Sequence, residues 1–188
     1  MIPVRGGQAP PAAAGGWTPA RTGETVALVP CMGCRGTFPD EEGPTHAYMQ
    51  STPGCWAAFG RVLAREYSDP RLLPVHRLTV DAYAVQHPGV PSRQSIQSVG
   101  VHLVRLCLFL EHNLAPEQAN DAMLAAARHK SRYHWLAPPP DLGPLTVADV
   151  DAAGGVEAHM VMVRRWASQL WQVWAPHHAV VRSWAKPA

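Results

Sequence analysis

Long apolar runs are missing from this chain. No stretch approaches the about 20 apolar residues that a membrane-crossing helix needs. The longest candidate, Val99 to Leu110, is broken by Gly100, His102 and Arg105. Charge is also scarce: 16% of the 188 residues are charged, and 16 basic side chains against 14 acidic ones leave a net +2. So little charge excludes a charge-driven disordered chain. It also leaves no field strong enough to draw the protein to nucleic acid or to a membrane surface. Phosphate-binding glycine patterns are absent, both Gly-x-Gly-x-x-Gly and the P-loop, as is the Gly-x-Ser-x-Gly nucleophile elbow. No repeat occurs at solenoid periods, and no convincing alternation of β-branched residues signals a sheet.

What is present is apolar material for one core, at 47% of residues, together with 19 prolines, ten histidines and four cysteines. Residues 1–30 are rich in Ala, Gly and Pro and read as a flexible leader. They lack the basic-then-apolar order of an export signal, so a cytoplasmic location is expected. Thiols stay reduced there, and paired cysteines then point to metal or redox chemistry before disulfides. Residues 31–186 read as a single helical domain that includes a zinc lobe over 31–55.

Proline and capping residues predict the helices. Ser51-Thr52-Pro53 starts one that runs to about Tyr67, where Ser68-Asp69-Pro70 stops it. A second covers roughly Pro74 to His87 and ends at Pro88-Gly89. The third follows Pro91-Ser92 to about Asn113; apolar residues on every face make it the expected central helix. A fourth spans about Pro116 to Lys130. Thr146 with Asp149 resembles a capping box and opens a short helix. The last long helix runs from about Val156 to Ala175, and a short segment with Val180, Val181 and Trp184 follows Pro176. On the last long helix, Trp171 falls opposite Trp166 and Trp174 and suggests a contact surface. The fold class is therefore mainly α: a bundle of about five to six helices with a loop-rich, metal-binding N-terminal lobe.

Cys31-Met32-Gly33-Cys34 is a CxxC, with His46 and Cys55 further on. Two thiolates at this spacing can bite one ion, because the intervening turn aims N–H groups at the sulfurs, and Gly33 suits that turn. Cys31, Cys34, His46 and Cys55 make a candidate Cys₃His shell for Zn²⁺. The segment has little apolar content, and an ion can supply the ordering energy that a core supplies elsewhere. A redox CxxC and chance thiols in a loop are the alternatives. Cys107, within an apolar stripe, reads as a small core residue.

A second set of polar positions lies on the second and third helices. At about 100° per residue, His76, Tyr83 and His87 share a stripe turned away from Leu78, Ala82 and Val85. Asp81 sits on a third side, and His102 flanks the next helix. Polar groups in a bundle are costly unless paired, and bundle interiors are where ligand sites are built. His76 and His87 are candidate acid/base groups oriented by Asp81 or Tyr83, with His102 beside them. A three-histidine metal site from His87, His102 and His159 is a further possibility.

The words Cys31-Met32-Gly33-Cys34, Gly43-Pro44-Thr45-His46-Ala47-Tyr48-Met49, Pro53-Gly54-Cys55-Trp56 and VHRLTVDAYAVQHPG (Val75 to Gly89) resemble a bacterial family of uncharacterised proteins, catalogued as a domain of unknown function. Ser92 to Leu110 and Trp166 to Trp184 look like the same family. The resemblance covers roughly 31–186 and implies that the leader lies outside the shared domain. The family usually has Cys-Pro-x-Cys-Gly at its first motif; Met32 and Arg35 depart from that. No activity comes with it. The expected function is a small zinc-binding helical protein with a His/Asp/Tyr-lined pocket for an unknown small molecule, open to catalysis. The alternatives are a zinc-stabilised module for a protein partner and a three-histidine bundle enzyme. No membrane or nucleic-acid partner is expected.

Overall fold

Proline and hydroxyl caps set most of the helix boundaries in the computed structural model, which describes residues 27–186. A short antiparallel hairpin comes first. Strand β1, Leu28–Pro30, pairs with β2, Thr37–Pro39, in the register Leu28↔Pro39, Val29↔Phe38 and Pro30↔Thr37. The expected leader 1–30 lies outside the described residues up to 26, and its last three residues form β1. Strands of three residues are too short to show a two-residue alternation, which is why the sequence did not reveal them.

Helix α1, Pro53–Ser68, starts where Thr52 accepts the Cys55 N–H at 3.4 Å, with Pro53 needing no donor partner. Its buried residues Cys55, Ala58, Phe59, Val62 and Glu66 fall on one stripe. Asp69 ends it and accepts from the Arg71 N–H of a short 3-10 turn, Pro70–Leu72. Helix α2 is Leu73–Gln86 and α3 is Arg93–Leu110, the latter capped by Ser92 accepting from Ser95 N–H at 3.1 Å. Helix α4 is Pro116–Ala127, and α5 is Val147–Ala152 with the reciprocal Thr146–Asp149 box in place. Helix α6 runs Gly155–Val173, and the segment after Pro176 is helix α7, His178–Ala185. The count is thus seven α-helices among the described residues, one more than the upper expectation. None is long and apolar enough to cross a membrane.

Helix α3 packs on α2, α4, α6 and α7, as expected of a central helix. Helix α2, packed on α1, α3 and α6, is buried more completely, with ten of its fourteen residues inside. Helix α3 leaves Val101, Phe109 and Leu110 half-buried. The sequence hid this because α2 buries polar side chains, each of which has a partner. Gln86, for example, donates to Leu145 O at 2.8 Å and accepts from Trp166 Nε1 at 3.0 Å. Trp171 is not a contact surface: it is buried, stacked on His178 at 3.7 Å, and donates to Glu111 at 3.2 Å.

Candidate metal centre

The hairpin carries the CxxC at its tip. Cys31 N–H donates to Gly36 O at 2.8 Å and Arg35 N–H to Cys31 O at 2.9 Å, so the chain wraps tightly around the two thiols. The wrap needs Arg35 at φ +62°, a left-handed conformation that glycine adopts far more readily. A Cβ on Gly33 would come 2.3 Å from Gln50 O and 2.4 Å from His87 Cδ2. Only glycine lets this turn lie against the His87 ring.

Cys55 comes from the first turn of α1, where the helix dipole favours a thiolate. His87 comes from the C-cap of α2, at φ −124° and ψ 60°. Its Nδ1 donates to Tyr83 O at 2.8 Å, which leaves Nε2 as a bare acceptor facing the sulfurs. The four donor atoms of Cys31, Cys34, Cys55 and His87 lie within 4.8 Å of one another, and all four residues are buried.

Spacing tests whether an ion fits. Bonds of about 2.3 Å to sulfur and about 2.0 Å to nitrogen give tetrahedral edges of about 3.8 Å (S to S) and about 3.5 Å (S to N). Cys34 and Cys55 sulfurs are 3.9 Å apart, and His87 Nε2 is 3.6 Å from Cys31 and 3.4 Å from Cys55 sulfur. This Cys₃His cluster can hold a metal ion.

Its electrostatics agree. Before an ion binds, contact with Cys34 and Cys55 holds the Cys31 thiol far below the ordinary thiol range. The same contact pushes Cys34 up to about 12 and raises Cys55 as well, with burial adding to both. Three buried sulfurs thus compete for charge at close range, and a cation at their centre relieves that competition. Tyr83 supports the shell from outside. Burial, with Cys55 beside it, pushes its hydroxyl up, and it shares a hydrogen bond with Cys55 sulfur at 3.5 Å. Its ring stacks on His87 at 4.0 Å and on Phe59 at 3.9 Å.

His46, the histidine expected in this shell, is not among these donors. Its Nδ1 accepts from Tyr48 N–H at 3.5 Å, and its ring packs edge-on against Tyr48 at 4.4 Å and beside Trp56 at 5.3 Å. His87 takes the fourth corner because α2 ends beside the hairpin tip. A signal existed in the sequence: His87 precedes Pro88-Gly89, a helix end at which a side chain can leave the helical stripe.

The expected acid/base positions, His76, Asp81, Tyr83, His87 and His102, do not share one pocket. They fall into three separate bonded sets. His76 Nδ1 meets Glu66 at 2.8 Å, and His159 Nε2 meets the same carboxylate at 2.9 Å. Asp81 accepts from Arg105 Nε at 2.7 Å and meets His102 Nδ1 at 2.7 Å. Tyr83 and His87 belong to the cysteine cluster. His87, His102 and His159 therefore form no common site. Sequence reasoning missed Glu66, a buried carboxylate on the inner stripe of α1 that bonds His76 and Thr79 of α2, and Arg105, which neutralises the Asp81 charge that α2 carries into the core. Cys107, Glu111 and His112 also bring donors within 4.8 Å of one another. There, however, Arg182 already grips the carboxylate at 2.7 and 2.8 Å, where a cation would bind.

A model of a family of unknown function, DUF5946, matches residues 29–175, from the hairpin to the end of α6. The chain belongs to DUF5946. The matched span of DUF5946 contains all four members of the Cys₃His cluster. No curated protein and no solved structure matches the chain.

Proposed function

We propose that this DUF5946 protein is a zinc protein in which Cys31, Cys34, Cys55 and His87 hold one Zn²⁺ in a closed, structural site. The supporting observation is the spacing of four buried donors along the edges of one tetrahedron. Zinc favours sulfur and imidazole in this geometry, and four protein ligands leave no open position for a reacting water. The ion's task is mechanical: it ties the hairpin to the start of α1 and the end of α2. Near the hairpin tip the core supplies little apolar surface, so ion binding and ordering of this lobe are one event. Buried reduced cysteines suit a reducing compartment such as the cytoplasm.

On this reading the protein is a zinc-stapled helical binding module. The histidines and carboxylates expected to line a catalytic pocket are instead bonded to each other inside the fold. Elemental analysis tests the proposal. One zinc per chain is expected in the wild type, with loss of that zinc in Cys34→Ser and in His87→Ala. A metal-free wild type with its hairpin fully ordered would refute it.

A further inference from the structure

A cleft of about 730 Å³ opens between the start of α3 and the end of α4. Arg93, Gln97, Arg128, Lys130, Ser131 and Tyr133 line it, and no carboxylate does. None of the three cations enters an ion pair among the described residues. Arg93 stands in the first turn of α3, where the helix dipole repels a cation. Its placement therefore has no explanation in helix stability.

Tyr133 fixes one wall of the cleft. It is 7% exposed, and its hydroxyl is buried without a hydrogen-bond partner. Its ring is fixed between Trp184, at a centroid distance of 4.9 Å, and Gly100, where an added Cβ would lie 2.8 Å from the ring. Burial raises its pKa against the opposing charge of Arg132, the cation next to it. Tyr133 is thus a fixed part of the wall, and the three cations are the groups available to an anion in the cleft.

We propose that this cleft binds a small phosphorylated molecule. Three cations match the charge of about −2 and the three terminal oxygens of a phosphate monoester, more than a single carboxylate requires. The volume lies in the range of ligand pockets and leaves space for an organic remainder against Ile96 and Gln97. The site is separate from the cysteine cluster, and the proposal does not depend on the zinc reading.

Calorimetric titration of the metal-loaded full chain with inorganic pyrophosphate tests it. One saturable site is expected. Arg128→Gln and Lys130→Gln should each weaken it by about tenfold, the scale of one charge-assisted contact. Arg164→Gln, in an exposed patch on α6, should leave it unchanged. Lack of saturation by about 10 mM pyrophosphate, or equal weakening by Arg164→Gln, would overturn the proposal. So would a thymidine oligonucleotide that binds as tightly as pyrophosphate, because that result marks a general polyanion surface.

Discussion

Substituting His87 and His46 in turn tests which histidine belongs to the proposed zinc site. In that proposal His87 supplies one of four bonds. Structural zinc sites are worth about 10–16 kcal/mol at neutral pH, so an equal share is about 3–4 kcal/mol, or about a 10²- to 10³-fold loss of affinity in His87→Ala. The variant also removes a buried ring stacked on Tyr83 and leaves Tyr83 O without its Nδ1 donor. His46 touches only Tyr48 and Trp56, so His46→Ala should change zinc affinity less than about threefold, at most the energy of one aromatic contact. Competition against a colorimetric zinc chelator reads both, with circular dichroism as the check on folding. If His46→Ala loses zinc while His87→Ala retains it, the assignment of the fourth ligand is wrong. Equal affinity in both variants would show that no histidine contributes and that the cluster is held by sulfur alone.

The same geometry has further consequences. Gly33→Ala places a methyl against Gln50 O and the His87 ring and should cost about 1–3 kcal/mol in chemical denaturation, with zinc affinity falling alongside. Arg35→Gly relieves a left-handed residue and should gain about 0.5–1 kcal/mol, the αL penalty less the added freedom of the unfolded chain; a loss of stability would show that the Arg35 side chain makes an undetected contribution. Asp81→Ala strands Arg105, which is 4% exposed, and should cost about 3–5 kcal/mol, whereas a cost under about 1 kcal/mol would mean that water reaches the guanidinium. Cys107, pushed up to about 12 by burial and by Glu111, should resist alkylation at pH 8 in the folded protein and react once denaturant is added.

The helices were legible because their start signals are local. Thr52-Pro53, Ser92 and the Thr146–Asp149 box bond to residues two or three positions on, and a reader of the sequence sees both partners at once. What was not legible depends on distance along the chain. Glu66 meets His159 across 93 positions, and Gln86 meets Trp166 across 80. From sequence alone these polar residues mark a helix face as solvent-facing or functional, so α2 was read as half-polar and the depth of its burial was missed. Burial of a polar group is decided by whether a partner arrives, and partners on other helices leave no periodic trace.

The cysteine cluster shows the same division within a single site. Cys31 and Cys34 were readable as a pair because one turn holds both. Cys55 was reachable because it lies on the next element. The histidine was not settled by proximity in sequence: His46 is nearer, but its loop directs the ring onto Tyr48 and Trp56. His87 lies 32 residues beyond Cys55, and α2 carries it back to the hairpin. Helix α2 can do so because its own core contacts fix its C-terminus without the ion. In the proposed zinc protein the ion then joins a preformed helical body to a hairpin with three-residue strands. That order predicts the result of chelation. Amide exchange over 28–39 should become fast when zinc is withdrawn, while α2 and α6 keep their protection, because local opening follows local contact density. Simultaneous loss of protection in α2 and α6 would show that the helical body does not stand without the metal, and that His87 is placed by the ion rather than waiting for it.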